Sequence, residues 1–128
     1  MVAWLLGESS VARDTELDTG LRDEPALVPS HWPIEISNVL RTYLRAGRLS
    51  VSDFFTIMER MDLVSVQVEP SIELDEIGPL AQFSDTHDLT AYDAAYVQLA
   101  LRNGASLATL DGAMRTAAGR LNIPLLPP

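Results

Sequence analysis

Apolar positions fall into short blocks with recognisable periods, separated by glycine, proline and polar residues. Residues 2–6 are apolar. The chain then turns polar through residue 19, where Val11, Leu17 and Leu21 outline a helix. Ala26, Leu27 and Val28, set between Pro25 and Pro29, predict a brief strand. Ser30 opens a helix that tolerates Pro33 in its first turn. Ile36, Val39, Leu40, Tyr43 and Leu44 follow at helical spacing, and Gly47 ends it. Residues 50–53 read as a capping box ahead of Phe54, Phe55, Met58 and Met61. Residues 63–68 alternate like a strand, with Val64, Val66 and Val68 on one face. Residues 72–83 form a weaker helix, broken by Gly78-Pro79. Residues 90–102 predict a strong helix, apolar nearly all round and stopped by Asn103-Gly104. A strand over 106–110, a helix over 111–121 and a last strand over 124–126 complete the pattern.

The predicted order is helix, strand, helix, helix, strand, helix, helix, strand, helix, strand. Alternation of this kind makes an α/β fold, a parallel sheet with helices on its faces. Ligands of such sheets bind beyond the carboxyl ends of the strands. There is no internal repeat, low-complexity tract or long linker, so residues 1–128 are expected to form one domain.

Composition narrows the chemistry. Apolar residues make up 47% of the 128, enough for a core without covalent staples. Cysteine is absent, which removes disulfide scaffolds, thiolate metal sites and thiol nucleophiles. No apolar run approaches the ~20 residues of a membrane span. Residues 1–6 lack the basic flank of a signal peptide, and the absence of cysteine suits a cytoplasmic chain, the location expected here together with no membrane partner. Acidic groups number 18 against 9 basic ones, all arginine, for a formal charge of -9. That balance argues against coating nucleic acid by charge alone. It leaves room for an enzyme that meets phosphate through bound cations.

Most of the acids lie in loops or on exposed helix faces: Glu8, Asp14, Glu16, Asp18, Asp23 and Glu24 form one solvated run, and Glu69, Glu73, Asp75 and Glu76 another. Three acids differ. Glu35 falls between Trp32 and Val39 on the apolar stripe of its helix, where a carboxylate is costly unless paired or metal-bound. The plain alternative is a first-turn glutamate favoured by the helix dipole. Asp93 is the only acid from residue 91 to 101, and Thr90-Ala91-Tyr92-Asp93 also fits a capping box, in which aspartate is a poorer third-position partner than glutamate. Asp111 follows a predicted strand and opens the next helix, so it is both a plain N-cap and a residue at a strand's carboxyl end. Thr109 places a hydroxyl near the same edge. Carboxylates are hard ligands suited to Mg²⁺ or Mn²⁺. Such a cation polarises a phosphate oxygen and lowers the pKa of bound water.

These residues resemble a known family. Val28-Pro29-Ser30 running into Glu35-Ile36-Ser37-Asn38-Val39-Leu40, the helix exit Arg45-Ala46-Gly47-Arg48-Leu49-Ser50, the stretch Leu89-Thr90-Ala91-Tyr92-Asp93-Ala94-Ala95-Tyr96 and the segment Leu107-Ala108-Thr109-Leu110-Asp111 are similar to PIN domains, more narrowly to VapC-like toxins of bacterial toxin–antitoxin pairs. The resemblance implies a PIN-like parallel sheet sandwiched between helices. It also implies a Mg²⁺- or Mn²⁺-dependent endoribonuclease, an RNA substrate, inhibition by a cognate antitoxin protein, and a homodimer. Glu35, Asp93 and Asp111 would be catalytic metal ligands, and Thr109 an auxiliary polar group. The family opens with an apolar strand ending in a first acid, whereas residues 2–8 here resemble the helix that follows it. The expectation is therefore that the first central strand and its aspartate lie before Met1, through a late start, a cut chain or a degenerate copy, the remaining alternative being that residues 1–6 refold as the missing strand. The alternative function is a catalytically inactive PIN-like module that only binds antitoxin or RNA. A third reading, an unrelated acidic interaction domain, requires the three acids to lie far apart.

Other residues have two readings each. Arg41, Arg45 and Arg48 lie at helical spacing and either receive the RNA backbone or form a solvated face. His31 and His87 are general-acid candidates or ordinary surface residues. Trp4 and Trp32 suit a core better than a base-stacking platform. The apolar faces over residues 54–61 suit a partner helix, an antitoxin or a core.

Overall fold

The computed structural model describes residues 25–63 and 65–128. The predicted helix around Val11, the residues 2–8 assigned by resemblance, Trp4, the acidic run through Glu24, and Val64 lie outside the described residues. The elements are β1 (Ala26–Val28), α1 (Trp32–Arg45), α2 (Val51–Leu63), β2 (Val66–Val68), a 3₁₀ turn (Leu74–Glu76), α3 (Ile77–Thr86), α4 (Ala91–Asn103), β3 (Leu107–Ala108), α5 (Gly112–Arg120) and β4 (Leu125–Leu126). The class is mixed α/β with short parallel strands. Among the described residues, two units are distinguished: 25–27 with His31–Val68, and Val28–Ser30 with Glu69–Pro128.

The continuous sheet expected from the alternation does not form among the described strands, which pair as two separate ladders, β1–β2 and β3–β4. In the first, the Ala26 N–H donates to the Ser65 carbonyl at 2.8 Å and the Glu69 N–H to the Val28 carbonyl at 2.9 Å, the progression of a parallel pair. In the second, Leu107 pairs with Leu125 and Ala108 with Leu126, also in parallel. Every strand is two or three residues long, so each ladder is complete after a few bonds.

In the first unit, Trp32, Ile36 and Leu40 stack at four-residue spacing on α1 and are buried. Ser30 does not cap this helix. His31 holds the N-cap position without a side-chain cap bond, and Pro33 occupies the first turn, where its missing N–H costs nothing. Gly47 takes φ +69° just past the helix end, a conformation open to glycine. The capping box before α2 forms: the Ser50 N–H donates to Asp53 Oδ2 at 2.9 Å, and the Asp53 N–H to Ser50 Oγ at 3.1 Å. These bonds hold the Asp53 carboxyl below its usual range. Helix α2 runs on through Leu63 and absorbs the start of the predicted 63–68 strand. β2 keeps only the positions that the three residues of β1 can pair.

In the second unit, Gly78-Pro79 does not break a helix; it lies in the first turn of α3. The chain enters through the 3₁₀ turn, whose own box has the Glu73 N–H donating to Glu76 Oε2 at 2.7 Å. Helix α4 begins at Thr90 and ends at Gly104, which takes φ +58°. The core gathers Val97 and Ala100 of α4, Leu107 of β3, Met114, Ala117 and Ala118 of α5, and Ile123. Ala117 and Ala118 of α5 are both fully buried in this core. Among the described residues, no helix is long and apolar enough to cross a membrane.

Candidate functional site

Topology fixes one edge of the second unit. β3 and β4 are parallel, so the intervening α5 runs antiparallel to both. Helix α4 reverses into β3 through residues 104–106 and packs on both β3 and α5, so it runs in the same sense as α5. The amino ends of α4 and α5 therefore both stand at the carboxyl end of β3, with Asp93 in the first turn of one and Asp111 capping the other. That is the edge where an α/β unit presents ligand-binding groups.

Asp111 is held by a short relay. The Thr109 N–H donates to the Leu126 carbonyl at 3.1 Å, continuing the ladder one residue past β3. Thr109 Oγ1 accepts the Asp111 N–H at 3.1 Å and donates towards Met114 Sδ at 3.7 Å. Asp111 Oδ1 accepts the Met114 N–H at 2.9 Å, the N-cap bond of α5. Thr109, 7% exposed, thus shapes the turn that presents Asp111. Arg115, one turn further on, donates from Nη1 to the carbonyls of Thr109 and Pro127, each at 3.0 Å. The sequence reading passed over Arg115. Its spacing of four from Asp111 was the available signal, but the closeness of Pro127 was not.

Asp93 departs from the capping box. Its N–H donates to Thr90 Oγ1 at 3.1 Å. The return bond from its carboxylate to the Thr90 N–H is not formed, unlike the reciprocal boxes at Ser50 and Glu73. Among the described residues its half-buried carboxylate makes no hydrogen bond. Tyr92, beside it, is 68% exposed.

Glu35 belongs to the first unit. It lies on the border of the buried stripe rather than within it. Its side chain is 41% exposed, and Oε1 stands 2.9 Å from His31 Nε2. Helix α1 ends at Arg45, so the three arginines do not share one helical face: Arg41 and Arg45 are exposed on α1, while Arg48 lies past Gly47 with its guanidinium 4.7 Å from the centre of the Tyr43 ring. His87 follows α3 and stacks at a tilt on Phe83, centroids 4.5 Å apart. Trp32 is core, as expected. On α2, Ile57 is buried while Val51, Phe55 and Met58 are exposed.

Among the described residues, no group of three or more His, Cys, Asp or Glu side chains is arranged to hold a metal ion. A closed protein cage is therefore not the fit. Magnesium ordinarily takes one or two carboxylates and fills its octahedron with water and substrate phosphate. Asp93 and Asp111 are hard oxygen donors of the type that such a site takes.

No family model and no curated protein matches the sequence. Among solved structures, the chain is similar to the crystal structure of PAE2754 from Pyrobaculum aerophilum, with a TM-score of 0.65 and 23% identity, over 91% of this chain and 81% of that one. The likeness is one of fold.

Proposed function

We propose that this chain is a PIN-like, VapC-like endoribonuclease that hydrolyses RNA phosphodiesters with Mg²⁺ or Mn²⁺, as the toxin of a toxin–antitoxin pair. The observation that carries the reading is the half-made box at Thr90. The Asp93 N–H is tied to Thr90 Oγ1 while its carboxylate makes no hydrogen bond among the described residues, which leaves it to water or a ligand in the first turn of α4, as Asp111 caps α5. The resemblance of the four quoted segments supplies the family.

Asp93 and Asp111, both in the second unit, would hold the cation. When bound, the cation polarises the phosphate and lowers the pKa of a water. The chain's own groups set the stage for this. The Met114 N–H occupies Asp111 Oδ1 and fixes the carboxylate plane, with Oδ2 left for a ligand. Thr109 fixes the turn beneath it. The reading brings with it RNA, a cognate antitoxin and a second copy of the chain as partners.

The test is cleavage of single-stranded RNA by the full chain with Mg²⁺ or Mn²⁺. Asp93→Asn and Asp111→Asn are expected to abolish it while the far-ultraviolet circular dichroism stays unchanged. Undiminished cleavage by either variant removes that residue from the mechanism. A wild-type chain inert with both cations supports the inactive binding module instead.

A further inference from the structure

The second unit contains three arginines: Arg102, Arg115 and Arg120. Arg102 and Arg120 lie in the last turns of α4 and α5, at the end away from Asp93 and Asp111. Arg115 is different. Side chains on a helix lean towards its amino end, and the Arg115 Nη1 bonds lead to the Thr109 and Pro127 carbonyls. Those residues directly follow β3 and β4, so the guanidinium is fixed across the exits of both strands. A guanidinium carries five N–H donors. The two carbonyl bonds both use Nη1, and among the described residues Nε and Nη2 donate to no protein group. A planar cation held at one nitrogen, with its other edge open and part-buried, is shaped to take two oxygens of one phosphate.

We propose that Arg115 receives a backbone phosphate of the RNA at the edge carrying Asp93 and Asp111. The proposal rests on the ribonuclease reading for the identity of the anion, and on the strand-exit geometry for its place. It gives an acidic chain a fixed positive group where its carboxylates would otherwise repel the substrate. The competing role is a staple that only ties the two strand exits together.

Two variants separate these roles. Arg115→Gln keeps an amide donor for a carbonyl and loses the charge; Arg115→Lys keeps the charge and loses the fork. Binding of a fluorescent single-stranded oligoribonucleotide is followed by anisotropy in Ca²⁺ across a salt series, beside thermal unfolding. Arg115→Gln is expected to weaken binding about tenfold or more. It should also lower the slope of log affinity against log salt by roughly 0.7, one phosphate contact on a single strand. Arg115→Lys restores the slope but not the full affinity. Unchanged affinity and slope with only a lower Tm would leave Arg115 a staple and overturn the proposal, as would absence of RNA binding by the wild type. If Asp93→Asn abolishes cleavage while Arg115→Gln binds normally, the proposal fails and the ribonuclease reading stands. If Arg115→Gln loses affinity while Asp93→Asn and Asp111→Asn cleave like wild type, the metal-site assignment fails and the phosphate contact stands.

Discussion

Asp111 Oδ1 accepts the Met114 N–H, and an asparagine carbonyl at the same place would accept it as well. Asparagine cannot supply the anionic oxygen that a cation requires. Asp111→Asn should therefore keep nearly all of the stability while losing metal-dependent cleavage, whereas Asp111→Ala should also lose about 1 kcal/mol in urea unfolding. A parallel loss of both properties in Asp111→Asn would mean that the charge itself holds the turn. The sequence offered N-cap and ligand as rival readings of this residue. The structure shows that they are compatible, because the cap uses one carboxylate oxygen and leaves the other. At Asp93 the Thr90 cap bond forms, and the box is closed from that side only. At Glu35 the sequence overstated the burial: a residue three after Trp32 can lie at the border of the stripe, and its neighbour His31 meets it there.

Helix starts were the most legible elements, because a cap is a contact between residues three apart. The Ser50–Asp53 box was visible in the sequence and forms as expected. It has a pH signature. The bonds from Ser50 lower the Asp53 pKa in the folded state, so the carboxylate stabilises the fold above the usual aspartate range. That contribution is lost as pH falls through the lowered folded-state value. The stability gap between wild type and Asp53→Asn, measured by urea unfolding, should be full at neutral pH and shrink in acid, where the wild-type carboxyl is also neutral. A gap independent of pH would show that the ionised carboxylate adds nothing. The helix stop at Gly104 was equally local, since φ +58° suits a residue without a side chain. Strand limits and the Gly78-Pro79 step were misread for one shared reason. Where a strand ends depends on its partner, and whether proline breaks a helix depends on where the first turn falls. Neither is set within the segment itself.

The core of the second unit joins residues 97 to 123 across two helices and a strand, and Met114 sits in it at 6% exposure with its sulfur facing Thr109. Met114→Ala should cost about 2–5 kcal/mol of stability through the cavity it leaves. It should also loosen the Thr109–Asp111 turn, so that the loss of cleavage exceeds the loss of folded protein measured in the same sample. Equal losses would confine Met114 to packing. By itself the sequence determined what local chemistry can determine: the α/β class, the caps at Ser50, Thr90 and Asp111, the helix stops at Gly47 and Gly104, and the amphipathic stripe of α1. Only the tertiary structure decided that the described strands pair as two short ladders, that Asp93 and Asp111 share one edge, and that Arg115 reaches the carbonyls of residues six and twelve positions away. The physical reason is range. Capping and periodicity act over three or four residues and are written in the chain, whereas strand pairing and the Arg115 bonds depend on segments that meet only when it folds.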